Sequence, residues 1–178
     1  RPQLVTMIGP AGIGKSRLAW ELFKYVDGLP EDTYWHQGRS PSFGNGLALW
    51  SVAEMVRRRA GIAETDEAPK SRMKLRTALA EYIPDEDERR WMEPWLAGLL
   101  GLDEVPGGDR SEMFAALRTL FQHVATRDQT VLVFEDLHWA DEGTLEFITE
   151  LLDRSQHHPI LVVTLARPEL LERHPGWG

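Results

Sequence analysis

The stretch GPAGIGKS, Gly9 to Ser16, constrains this chain more than any other. It follows an apolar, β-branched run, QLVTMI at 3–8, and opens a segment of helical periodicity from Lys15 to about Val26. A strand that feeds a helix through a loop this rich in glycine predicts a strand–loop–helix unit. Gly9, Gly12 and Gly14 permit backbone angles that side chains forbid, so the loop amides can turn inward. Together with the bare N–H groups at the helix start they make a cradle for phosphate oxygens. The spacing G-x-x-x-x-G-K-S then gives Lys15 to the β- and γ-phosphates and the Ser16 hydroxyl to a magnesium ion. The candidate nucleotide-binding residues are therefore Gly9, Pro10, Ala11, Gly12, Ile13, Gly14, Lys15 and Ser16. Arg17 is one more candidate for a phosphate contact, with plain solvation as the alternative.

Downstream, Thr33 to Gln37 reads as a second strand and SPSFGNG at 40–46 as a loop. A helix is expected from about Leu47 to Arg59, then a polar linker at 63–70, helices at 71–82 and 86–100, and a loop from Gly101 to Gly108. Asp109 or Ser111 is expected to cap a helix running to about Thr126. TVLVF at 130–134 is unbroken and apolar, as a strand covered on both faces of a parallel sheet should be. Asp141 is expected to cap a helix from 142 to about 155, with Leu145, Ile148, Leu151 and Leu152 on its inner face. Pro159 to Leu165 is the next apolar strand. Strands alternating with helices predict an α/β fold with a largely parallel sheet, and about 40–126 reads as a helical insertion between strands 2 and 3. Leu18, Ala19, Leu22 and Phe23 are the expected inner stripe of the first helix.

The third strand runs into two adjacent carboxylates, Glu135 and Asp136. Two like charges at a strand end repel each other and resist burial unless something positive sits beside them. In an open α/β sheet, ligands bind beyond the carboxyl ends of the strands. The positive partner expected there is magnesium, with Ser16, Glu135 and Asp136 as the metal set. By position Glu135 is the metal-side acid and Asp136 the acid that orients the attacking water. Solvent-facing strand ends are the alternative. Adjacent strand residues point to opposite faces, so both acids reach one cation only if the backbone turns between them.

The bulk numbers narrow the partners. A net charge of −8 argues against a broad nucleic-acid footprint for this segment. The sequence holds no cysteine, which fits a reducing compartment and a cytoplasmic location. No apolar run reaches the 18 or so residues of a membrane span, and the N-terminus reads straight into a strand without a signal peptide. Both ends read as cuts in a longer polypeptide.

GPAGIGKSRLA, VFEDLHWADEGTLEFITELL and LVVTLARPEL together resemble the nucleotide-binding domain of STAND-class signal-transduction ATPases, AAA+-like P-loop proteins. The resemblance is to the ATPase modules of LuxR-type transcriptional regulators and of multidomain adenylate/guanylate cyclase-like proteins. GRSPSFGNGLALWSVAEMVRR at 38–58 shares it. It implies a three-layer P-loop NTPase fold in which the strand before Arg167 lies between the loop strand and the acid strand. It also implies ATP and Mg2+ as ligands and slow hydrolysis used as a switch. Catalytic roles then fall to Lys15, Glu135, Asp136 and Arg167, the last sensing the γ-phosphate. A surface ion pair with Glu169 or Glu172 is the alternative for Arg167. The implied partners are a C-terminal lid, winged-helix and helical-repeat domains of a parent chain, and a nucleotide-dependent oligomer. The sequence departs from the family at Glu135, where most relatives carry aspartate. A P-loop small-molecule kinase and a non-hydrolysing nucleotide-binding scaffold are the rival readings. His138 reads as packed or as a relay of the nucleotide state, and Trp139 as core. Arg39, Arg57, Arg58 and Arg59 make a possible basic patch, the last three reading as a solvated helix end.

Overall fold

The computed structural model describes residues 1–42 and 48–178. In chain order its elements are β1 (Gln3–Ile8), α1 (Lys15–Asp27), β2 (Thr33–Arg39), α2 (Trp50–Arg59), α3 (Ala68–Tyr82), α4 (Glu86–Leu99) and α5 (Arg110–Arg127). There follow β3 (Gln129–Glu135), a 3-10 turn (Leu137–Trp139), α6 (Glu142–Arg154), β4 (Ile160–Ala166) and α7 (Glu169–Arg173). The expected start of α2 at Leu47 and the FGNG portion of the preceding loop lie outside the described residues. The linker expected at 63–70 ends early, because α3 begins at Ala68. Pro69 fits a first helical turn, where its missing N–H is not needed. Asp66, just before it, is 2.7 Å from Lys70 Nζ and draws the new helix's lysines back onto the loop.

The four strands pair in the order β1-β4-β3-β2, every pair parallel. The strand before Arg167 thus lies between the loop strand and the acid strand. The described part of the β2–β3 connection carries four helices, α2 to α5, joined by loops, with no strand among the described residues. β3 is buried from Thr130 to Glu135 because it is flanked by strands on both sides and by helices on both faces. Leu132 and Phe134 face the larger core, with Phe121, Val124, Phe147 and Ile148 of α5 and α6. Val131 and Val133 face the smaller one, with Ala19 of α1. Burying a side chain the size of Phe134 stabilises by roughly 1.5–3 kcal/mol, so the central strand anchors both layers. Of the expected inner stripe of α1, only Ala19 is buried, and Leu18 is exposed. α6 matches its expected pattern, with Asp141 as its cap: the Thr144 amide donates to Asp141 Oδ1 at 3.0 Å.

α2 lies along the free edge of β2. A strand edge carries unpaired backbone groups, and here side chains satisfy two of them. The Arg39 amide donates to Glu54 Oε2 at 2.9 Å, and Arg58 donates to the Gln37 carbonyl at 3.2 Å. The close approach depends on Gly38, where a Cβ would land on the Ser51 carbonyl oxygen. Arg58 is exposed, as expected of a solvated helix end, but Arg57 and Arg59 are partly buried and correct that reading. Arg57 donates to the Leu100 carbonyl at 2.7 Å. Arg59 donates to His36 Nε2 at 2.9 Å and to the Tyr82 hydroxyl at 3.0 Å, and it lies over the Tyr34 ring. Three consecutive arginines at a helix C-terminus suit its negative dipole end. What the sequence conceals is that acceptors from β2, from α3 and from Leu100, just past α4, converge on them.

Candidate nucleotide site

β1 ends at Ile8, and the Gly9 amide donates to the Ala166 carbonyl at 3.2 Å. That bond ties the start of the loop to the end of β4, one residue before Arg167. Gly12 and Gly14 take left-handed angles, φ 77° and 101°, which a side chain would strain. Gly14 caps α1, and the helix has neither a side-chain cap nor an acidic residue in its first turn. Its first amides therefore open onto the loop as an electropositive end. Lys15 Nζ donates to the carbonyls of Gly9 (2.6 Å) and Pro10 (2.9 Å), so the ammonium folds back over the loop. Ser16 is exposed beside it. Arg17 is also exposed, with Nε 3.6 Å from Glu21 Oε1. The residues named from the sequence, Gly9 to Arg17, thus form the loop after β1 and the first residues of α1.

The acid pair is held by a residue that sequence reasoning did not assign to it. The parallel register sets Arg39, at the end of β2, opposite Glu135, at the end of β3. Glu135 is 6% exposed, and its Oε2 accepts from Arg39 Nε at 3.1 Å and from a terminal guanidinium nitrogen at 2.7 Å. Asp136 sits at φ 53°, in the left-handed region that non-glycine residues seldom enter. The backbone therefore turns between the two acids, and Asp136 Oδ2 comes within 3.6 Å of the same Arg39 Nε. A positive group beside the repelling pair is thus Arg39. The sequence reading ends the second strand at Gln37; β2 runs on to Arg39, and the pairing is legible only once β2 and β3 are known to be neighbours in register.

Arg167 begins the loop after β4. Among the described residues its guanidinium makes no ion pair with Glu169 or Glu172. Its amide donates to His138 Nδ1 at 3.3 Å. His138 is 4% exposed on the 3-10 turn, and its carbonyl accepts from Arg173 at 2.9 Å. Burial, first of all, pushes the His138 imidazole below the ordinary histidine pKa; the charges of Arg167 and Lys15 act in the same direction, and Asp136 and Glu169 oppose them. The neutral ring and its acceptor at Nδ1 are thereby favoured. Trp139, expected in the core, is instead 44% exposed. It lines a cleft of about 380 Å³ with Trp50, Arg110 and Arg173. In a 3-10 turn successive side chains are about a third of a revolution apart, so Leu137 and His138 take the inward directions and Trp139 is left on the outer side.

The donor set suits a nucleotide with its metal. Among the described residues no group of three or more histidines and carboxylates gathers into a cation site. Magnesium, which keeps several waters and takes only one or two carboxylates, fits a site where substrate phosphates supply the remaining oxygens. No described helix is long and apolar enough to cross a membrane. A family model described as an AAA ATPase domain matches residues 1–163 of the 178.

Proposed function

Because the chain belongs to the AAA ATPase domain family, a family of nucleotide-binding ATPase modules, we propose that it is the ATP-binding, slowly hydrolysing switch of a multidomain signal-transduction or transcriptional regulator of the STAND class. The observation that carries this reading is the glycine loop. It opens α1 with a bare N-terminus and is tied by Gly9 to the strand end that bears Arg167. In this proposal the amides of Gly9 to Ser16 and the Lys15 ammonium hold the phosphates, and Arg17 stays at the margin. Ser16, Glu135 and Asp136 hold magnesium, which when bound neutralises charge on the phosphate oxygens. Asp136 orients the attacking water, and Arg167 contacts the γ-phosphate. The proposed setting is cytoplasmic. Lid, winged-helix and helical-repeat domains are the proposed partners, and oligomerisation depends on nucleotide.

Slow turnover follows from two features. Glu135 is one methylene longer than aspartate, and Arg39 already occupies its carboxylate. The same pairing favours a second reading, a nucleotide-binding scaffold that does not hydrolyse. Calorimetry with ATP and magnesium on the wild type and on Lys15→Ala tests binding. The variant should lose at least tenfold in affinity, about 1.4 kcal/mol, and equal affinities would refute the site. Single-turnover hydrolysis separates the switch from the scaffold, since the scaffold leaves the nucleotide intact.

A further inference from the structure

We propose that His138 is a positioning residue for nucleotide discrimination: its Nδ1 holds the Arg167 backbone, so that the γ-phosphate sensor keeps its place relative to the acid turn. This rests on the reading of Arg167 given above. His138 lies two residues beyond Asp136, on the 3-10 turn, and Arg167 follows β4, the strand next to β3. The Arg167 amide donates to Nδ1 at 3.3 Å, and Arg173 of α7 donates to the His138 carbonyl at 2.9 Å. The turn that follows Asp136 and the segment that begins at Arg167 are therefore bound at two points.

The other ring nitrogen sharpens the argument. Because Nδ1 accepts, the proton of the neutral ring sits on Nε2. Nε2 is buried and has no hydrogen-bond partner among the described residues. A buried unpaired donor is costly, and an apolar side chain at this position would carry none. What imidazole adds at this position is the acceptor at Nδ1. The consequence is that a change at either nucleotide-facing segment is felt by the other: displacing the turn moves the Arg167 backbone, and drawing Arg167 toward a phosphate pulls on the turn.

The amides of asparagine and glutamine separate the two nitrogens. An asparagine carboxamide oxygen can take the place of Nδ1, whereas a glutamine amide reaches the place of Nε2 and leaves Nδ1 empty. The experiment measures the affinities of a non-hydrolysable ATP analogue and of ADP for the 178-residue chain and for Arg167→Ala, His138→Asn, His138→Gln and His138→Phe. Alongside, 15N NMR on labelled wild-type protein looks for the through-hydrogen-bond coupling between the Arg167 amide nitrogen and His138 Nδ1. The coupling should be present. Arg167→Ala should lower the ratio of analogue to ADP affinity by about tenfold. His138→Gln and His138→Phe should lower it several-fold with ADP affinity unchanged, and His138→Asn should restore most of it. If Arg167→Ala lowers the ratio and His138→Phe and His138→Gln do not, the positioning role is wrong and the sensor reading stands. If Arg167→Ala leaves the ratio intact, the sensor reading fails and takes this inference with it. Equal losses of analogue and ADP in the His138 variants, or an absent coupling, would overturn the positioning role, the latter even where nucleotide affinity is too weak to measure.

Discussion

Arg39 and Glu135 end neighbouring strands in register, and the arginine grips Glu135 Oε2 through two nitrogens, at 3.1 and 2.7 Å, while its Nε stands 3.6 Å from Asp136. One cation thus serves two adjacent acids. The geometry bears on stability as well as chemistry, since the Glu135 side chain is 8% exposed and the arginine side chain 63%. A nearly buried carboxylate depends on a partner that solvent partly screens.

Arg39→Ala should therefore destabilise the fold by about 1–2 kcal/mol, less than the ~3–5 kcal/mol typical of breaking a fully buried pair. Glu135→Gln in the same background should recover most of the loss, because the amide carries no charge to strand. Urea denaturation of the two single variants and the double variant gives the coupling. Strict additivity would mean that the pair contributes nothing and that Arg39 is held only by solvent and by its backbone bond to Glu54.

The sequence revealed the site in part, and the boundary is a physical one. Local chemistry was legible: GPAGIGKS dictates its own loop, TVLVF its burial on both faces, and Asp141 its cap, because each depends on neighbours along the chain. Arg39 was not legible as the partner of Glu135, since the contact joins residues 96 apart and rests on strand register. The same holds for Arg59, whose acceptors His36 and Tyr82 come from β2 and α3. The opposite-faces rule for Glu135 and Asp136 gave way because Asp136 leaves the strand in a left-handed turn. Trp139 misled through its apolar neighbours Leu137 and Ala140, which are buried while it is not.

Gly38 supplies a test of the packing that brings α2 to the sheet edge. A Cβ there would collide with the Ser51 carbonyl, which is backbone and cannot rotate away. Gly38→Ala should cost about 3 kcal/mol or more, in the range of severe overpacking. It should also weaken the Arg39 to Glu54 bond by pushing α2 outward. Thermal unfolding with circular dichroism checks the first effect. A melting temperature within two or three degrees of wild type would show that α2 is free to move and does not clamp β2.

His36 offers a pH signature away from the nucleotide. Burial, and then the Arg59 charge, lower its pKa from the ordinary 6.5 to about 3. The unfolded chain takes up the proton first, so the stability that depends on a neutral His36 is complete above pH 6.5. It is lost as pH falls from there toward 3, at up to about 1.4 kcal/mol per pH unit. Between pH 6.5 and 5, before most carboxylates titrate, His36→Gln should flatten the dependence of unfolding free energy on pH by up to that slope. Parallel curves for variant and wild type would show that His36 carries no such burden.

Asp136 joins a strained backbone to a proposed catalytic carboxylate, and the two can be separated. Its φ of 53° suits glycine best, is tolerated by asparagine and aspartate, and disfavours alanine. Stability should therefore rank Asp136→Gly at or slightly above wild type, Asp136→Asn close to it, and Asp136→Ala lower by about 1 kcal/mol, the cost of a left-handed residue with a plain Cβ. Hydrolysis should rank differently. If Asp136 orients the attacking water, all three variants lose it alike, because the charge is what they share in losing, while ATP stays bound through Gly9 to Ser16. Glu135→Gln, in contrast, should weaken the magnesium dependence of binding, and Glu135→Asp, a methylene shorter, should raise turnover. Unfolding free energies, a magnesium titration of ATP affinity and single-turnover hydrolysis, measured on the same preparations, decide it. Exchange of the two phenotypes would reverse the assignment of metal-side and water-side acids. Hydrolysis that tracks stability across the Asp136 variants would mean the turn matters for its shape, and that its carboxylate serves only to share Arg39 with Glu135.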